Sequence, residues 1–178
     1  MIRTKKQSWV FINILGGVAV IGSYILGFLT RPVEAGMLWG GVPAQLRTLY
    51  TTNMFLAASG YFIFSLFILL KNENEIRVSN RFGFGSFLVL YLLVLIPSAL
   101  WMPLTILAIG QSSLAWLWLV RVDLLVVALA SLGILYALIT MQPRRPTWFH
   151  ILAVAGGLFF CFQTVILDAT IWSILFRL

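Results

Sequence analysis

Apolar residues fall into five long blocks, near 9–29, 50–70, 84–109, 114–140 and 149–174, separated by short polar interruptions. Each block reaches the roughly 20 residues that an α-helix needs to cross the hydrocarbon core of a bilayer. The pattern predicts an all-α, polytopic membrane protein: a bundle of five transmembrane helices in one domain, 1–178. The interruptions differ in kind. Residues 30–49, TRPVEAGMLWGGVPAQLRTL, are the longest connection and semi-apolar, carrying Trp39 and the glycines at 36, 40 and 41. They are expected to lie on the membrane surface or dip into it. Residues 71–83, KNENEIRVSNRFG, read as a solvated loop, 110–114 as a tight turn and 141–147 as a short basic turn.

Composition agrees with that reading. The chain is 61% hydrophobic and 10% charged, where a soluble domain carries about 25% charged residues, so it could not clothe itself for water. The net charge of +7 is not a nucleic-acid signature, because the basic residues sit in the gaps and form no stripe interleaved with aromatics. They follow membrane topology instead. Arg3, Lys5, Lys6, Lys71, Arg77, Arg81, Arg144 and Arg145 collect at one end of the spans; Arg31, Arg47 and Arg177 collect at the other. Positive residues stay cytoplasmic, which predicts a cytoplasmic N-terminus, with the 30–49 connection and the C-terminus extracytoplasmic, in a bacterial inner membrane or its organelle equivalent. Val33-Glu34-Ala35 resembles a signal-peptide cleavage site, but the preceding apolar run exceeds the 7–15 residues of a signal core, so the first block reads as an uncleaved span. The single cysteine, Cys161, permits no internal disulfide. Small residues four apart, Ser23 and Gly27, Gly133 and Ala137, Ala153 and Gly157, are candidate close contacts between helices.

Charge inside the spans carries the functional signal. Arg121 and Asp123 interrupt the fourth span within LWLVRVDLLVV, and Asp168 interrupts the fifth. At 1.5 Å per residue, Arg121 and Asp168 lie roughly 10 Å and about 9 Å from the end that carries the long connection. Ionisable groups at such depth face the bundle interior or water, pair with one another, or mark a functional site. Residues two apart on a helix do not face each other, so Asp168 is the expected partner of Arg121, unless Arg121 snorkels toward the headgroups. Ser23, Tyr24, Tyr50, Thr51, Thr52, Asn53, Trp101, Thr105, Gln163 and Trp172 come near the same level. Pro97 and Pro103 are expected to break the third span there, freeing the carbonyls of Leu93 and Ala99. One half of the interior therefore reads as wet and the other as dry. The wet half is either a ligand pocket or an ion pair with polar glue between the fourth and fifth spans.

Familiar catalytic and cofactor chemistry has no foothold in the sequence. The one histidine, His150, has no partner pattern for a metal, no lysine lies within a span, and neither a phosphate loop nor G-x-S-x-G occurs. No cofactor and no metal are expected, and an enzyme is the less favoured reading.

Several short motifs, in order along nearly the whole chain, resemble those of the tryptophan-rich sensory protein, or translocator protein (TspO), family. Arg31-Pro32 resembles the family's basic residue–Pro step at the start of its long loop, and Leu49-Tyr50 its Leu-Tyr at the start of the second helix. Trp101-Met102-Pro103-Leu104 resembles its Trp-x-Pro-Leu, and Leu167-Asp168-Ala169-Thr170-Ile171-Trp172 its Leu-Asn-x-x-Ile-Trp. The chain departs from the pattern in lacking the paired prolines after the basic step and the Tyr of the cholesterol motif, in carrying Leu46 for a tryptophan, and in replacing Asn with Asp168. The resemblance implies a binder of small hydrophobic ligands of porphyrin or sterol type, with its pocket among the first, second, third and fifth spans beneath the long loop.

The expected function is therefore a membrane-embedded binder of a small hydrophobic or amphipathic ligand, for sensing or transport. Trp39 and Trp101 would stack on the ligand, Asn53, Gln163 and Asp168 would orient it, and Arg121 would neutralise Asp168 or attract an anionic group. Asp123 and Trp172 complete the candidate set. Beyond the lipid bilayer and such a ligand, the expected partners are a second copy of the chain or another membrane protein, and not nucleic acid. The alternative is a scaffold, assembly factor or accessory subunit of a larger membrane complex, without its own ligand. A third option is a proton-coupled transporter using Asp123 or Asp168.

Overall fold

A computed structural model describes residues 4–71, 77–78, 82–142 and 147–178. Arg3, Arg81, Arg144 and Arg145 lie outside the described residues. The fold is all-α, with five apolar helices long enough to cross a membrane. The order is α1 (Lys5–Thr30), α2 (Pro32–Gly36), α3 (Ala44–Leu70), β1 (Arg77–Val78), β2 (Phe82–Gly83), α4 (Gly85–Gly110), α5 (Leu114–Thr140) and β3 (Met141–Gln142). The last span, Trp148–Leu175, has three parts: α6 (Trp148–Cys161), a π-helical stretch (Phe162–Trp172) and α7 (Ser173–Leu175).

Two helices begin earlier than the apolar runs suggest, because polar first turns extend them. At α1, Thr4 and Gln7 form a reciprocal capping box: Gln7 N–H donates to Thr4 Oγ1 at 3.2 Å, and Thr4 N–H to Gln7 Oε1 at 3.0 Å. Such a box satisfies two donors that the first helical turn leaves open. α3 starts at Ala44, directly after Pro43, and so carries Gln45 and Arg47 in its first turn. Pro97 and Pro103 do not break the third span. α4 runs through both, which a membrane helix tolerates when neighbouring groups take up the freed backbone.

The helices form a ring in the order α1, α4, α5, last span, α3. Around it the lipid-facing positions are large and apolar, including Phe55, Phe62 and Leu129. Among the spans, α3 and α6 approach backbone to backbone. A Cβ on Gly60 would lie 2.7 Å from Gly156 Cα, a spacing that only glycine permits. Of the expected small-residue contacts, Gly27 meets Met102, Gly133 meets Leu90, and Gly157 meets Leu135 and Leu138. The backbones of α1 and α3 stay further apart, and Tyr61 bridges the gap by donating to Asn13 Oδ1 at 2.6 Å.

The two ends of the bundle are built differently. At one, β1 pairs antiparallel with both β2 and β3, in the order β2-β1-β3, where the sequence suggested only a solvated loop and a basic turn. Strands of two residues are too short to show a period. At the other, residues 31–43 fold over the mouth. Pro32 opens α2, where the missing N–H costs nothing. Ala35 and Val42 are buried. Gly40 adopts a left-handed φ of 48° with the Phe176 ring against it, and Gly41 sits on the Leu175 carbonyl too closely for any side chain. The long connection thus docks on the end of the last span, and we refer below to the sheet end and the loop end.

Candidate functional site

The loop-end interior is organised by the π-helical stretch. In an α-helix each residue turns by about 100°, so residues five apart point about 140° away from each other. In a π-helix the ladder runs i→i+5 and brings such residues over one another. That is what places Gln163 and Asp168 on one face: Gln163 Nε2 donates to Asp168 Oδ1 at 2.9 Å. Hydroxyls follow the same register, Thr170 donating to the Val165 carbonyl at 2.7 Å and Ser173 to the Asp168 carbonyl at 3.3 Å. π-Helical turns are rare and concentrate at functional sites.

From α3, Asn53 completes a polar relay. Its Nδ2 donates to Gln163 Oε1 at 3.0 Å and to the Phe159 carbonyl at 3.2 Å. Three side chains from the candidate set are therefore joined in series, Asn53 to Gln163 to Asp168, with Asn53 and Gln163 buried. One helical turn before Asn53, Tyr50 donates its hydroxyl to the Leu167 carbonyl at 2.7 Å, fastening α3 to the same stretch.

A row of rings lies beside the relay. Tyr24 stacks on Trp101 at 5.7 Å between centroids, Trp101 meets Trp172 edge-on at 5.8 Å, and Trp172 stacks on Phe176 at 4.3 Å. Trp172 Nε1 donates to the Leu38 carbonyl at 2.9 Å, which ties the row to the loop. Trp39 stands apart from it, edge-on to Tyr50 at 5.9 Å, with the Arg47 guanidinium 5.5 Å from its centroid. The tryptophans assigned to a ligand thus pack on neighbouring rings of the protein.

The charges are not arranged as the sequence suggested. Arg121 and Asp168 form no ion pair. Arg121 lies over Trp118, three residues back on α5, at 4.9 Å, and Asp168 takes its hydrogen bond from Gln163. Depth along a helix fixes the level of a residue but not the side it faces, so a shared level does not by itself make a pair. The sole ion pair among the described residues is Arg31 with Glu34, 3.8 Å apart at the foot of α2. Asp123 is buried, and its Oδ2 has no hydrogen-bond partner; nor have Trp101 Nε1 and Arg121 Nε. Of these groups, Trp101 has a ring partner in Tyr24, stacked on it.

Of the eight candidate residues, the structure brings Asn53, Trp101, Gln163, Asp168 and Trp172 together. It leaves Trp39 at the rim and Asp123 buried without a partner for its Oδ2, and turns Arg121 onto Trp118. Tyr24 and Tyr50 belong with the five, although the candidate set omits them; their polar–aromatic character at the right depth was the available signal. Three polar contacts were not anticipated: Tyr61 with Asn13, Ser65 with Tyr91 at 2.7 Å, and Ser131 with Thr164 at 2.6 Å. Among the described residues no three His, Cys, Asp or Glu side chains converge as a metal site would need. No family model, curated protein or solved structure matches the chain.

Proposed function

We propose that the chain binds a small apolar or amphipathic ring-bearing molecule inside the loop-end half of the bundle, for sensing or transport. The observation that carries this reading is a pair of unsatisfied buried atoms, the Trp101 indole N–H and Asp123 Oδ2, in the half of the bundle that also holds the row of rings and the Asn53–Gln163–Asp168 relay. A buried polar group without a partner costs about 1–3 kcal/mol, and a ligand with a matching acceptor and donor recovers that cost on binding. The aromatic row supplies the apolar contact and Asp168 the orienting acceptor. The resemblance of the Trp101–Leu104 and Leu167–Trp172 segments to the tryptophan-rich sensory protein family supports a porphyrin- or sterol-like ligand.

The loop end faces the extracytoplasmic side in this reading. The described basic residues support it, with Lys5, Lys6, Lys71 and Arg77 at the sheet end and Arg31, Arg47 and Arg177 at the loop end, in the sense of the positive-inside rule.

One feature favours the scaffold instead. α1 fully buries only Trp9 and Gly27, and a Cβ at Gly17 or Gly22 would meet nothing, so a partner helix has room to dock there. Purification in mild detergent separates the two readings. A binder quenches its tryptophans saturably with protoporphyrin or with a fluorescent sterol, and Asp168→Ala or Trp101→Leu weakens that binding about tenfold, the equivalent of one lost interaction of about 1.4 kcal/mol. Absence of saturable binding to either probe, together with a stoichiometric protein partner, would sink the binder and leave the scaffold.

A further inference from the structure

We propose that a second site, at the rim where the aromatic row ends, holds a phosphate-class anion, presented by a membrane lipid headgroup. It is a cleft of about 310 Å³ at the mouth of the loop end, with Arg47 and Arg177 on its walls and Trp39, Met37 and Phe176 as its apolar surface. Ligand pockets run from about 300 to 1,000 Å³. This one is at the small end, so it takes a headgroup-sized portion of a molecule and leaves the rest outside.

Charge defines the ligand class. Among the described residues neither arginine has an acidic side chain within ion-pair distance, and Glu34 pairs with Arg31; Leu178, the last residue, lines the cleft beside Arg177. Asp123 and Asp168 lie within the spans. Two guanidinium groups without an acidic side-chain partner at one cleft favour an anion, and the planar, forked donor set of arginine suits phosphate above other partners. The cleft is also pre-shaped. Arg47 Nε donates to the Val42 carbonyl at 3.3 Å while its guanidinium lies over Trp39. The two glycines at 40 and 41 clamp the loop onto Leu175 and Phe176. Position favours the lipid as the source of the phosphate: Arg47 sits in the first turn of α3 and Arg177 just beyond α7, at the depth where the headgroups of one leaflet begin.

The test uses the full chain in detergent, with native mass spectrometry against equimolar phosphatidylglycerol and phosphatidylcholine. Phosphatidylglycerol adducts should dominate. Arg47→Gln and Arg177→Gln should each lower their retention about fivefold, the effect of one basic residue beside an anionic lipid, and the double variant should lower it by the product. The pair Arg31→Gln and Glu34→Gln together, which removes an ion pair without changing the net charge, should leave retention unchanged. Displacement of the lipid by millimolar inorganic phosphate, with the same dependence on the two arginines, would keep the phosphate site but assign it to the free anion. Equal adducts of the two lipids, or equal retention in the arginine variants, would overturn the proposal. If the double variant fails to fold, Arg177→Gln alone decides, since that residue is exposed and beyond the last helix. No residue of the Asn53–Gln163–Asp168 relay is altered, so the outcome leaves the interior reading to its own test.

Discussion

The sheet-end and loop-end interiors treat polar atoms in opposite ways. Toward the sheet, Phe64, Phe67, Phe84 and Phe87 are all at most 2% exposed, and most polar groups among them are paired at home. Ser65 and Tyr91 share a hydrogen bond, Tyr61 is held by Asn13, and Asn13 Nδ2 donates to the Trp9 carbonyl at 2.9 Å. Among the described residues, Trp9 Nε1 is the one exception. Toward the loop lie the other three buried atoms without partners, on Trp101, Arg121 and Asp123. A lipid-embedded interior tolerates few such orphans, because no water reaches them cheaply. Their concentration in one half separates a region built to hold shape from a region built with spare bonding capacity.

Substitutions should sharpen that contrast, and the largest effect belongs to the shape-holding half. Gly60→Val pushes a side chain into the Gly156 backbone, which cannot yield as a side chain would. Overpacking of that kind costs about 3 kcal/mol or more, read as a lower unfolding midpoint in detergent, while Gly17→Val leaves the midpoint unchanged because nothing lies near it. In the relay, Asp168→Ala strands the Gln163 amide and should cost about 1–3 kcal/mol. Asp168→Asn keeps an acceptor oxygen and should recover most of the loss; an equal loss in both would show that charge rather than hydrogen bonding is needed there. Tyr61→Phe removes one interhelical hydrogen bond and should cost about 0.6 kcal/mol. A loss several times larger would mean that α1 depends on this bond to stay in the ring. The smallest effect is expected at Arg121, where Arg121→Gln forfeits one cation–π contact of about 0.5 kcal/mol. Combined with Asp168→Ala it should be additive; a coupling above about 0.5 kcal/mol would reveal an interaction that the geometry lacks.

The five spans were legible in the sequence because bilayer thickness converts directly into run length. The level of the polar cluster was legible for a similar reason: rise per residue is fixed, so Asn53, Trp101, Gln163, Asp168 and Trp172 could be placed near one depth. What the sequence did not disclose was direction around each helix axis. That hid the separation of Arg121 from Asp168 and the meeting of Gly60 with Gly156. The π-helical stretch compounds the problem, since at α-helical spacing Gln163 and Asp168 would point apart, and FQTVILDATIW carries no mark of its altered winding. The rim followed from local chemistry instead: two glycines after Trp39 permit a docking that a chain of ordinary residues would refuse.

The small sheet has a mechanical meaning beyond its size. β1 and β2 belong to the α3–α4 connection, and β3 continues from α5, so one ladder laces three spans together. At the far end the covering segment is held chiefly by the Trp172–Leu38 bond and by close contacts at Gly40 and Gly41. The bundle is thus tied by main-chain pairing at one end and by side-chain packing with one indole hydrogen bond at the other. Loss of the Trp172 indole N–H should therefore loosen the covering segment and leave the ladder at the other end intact.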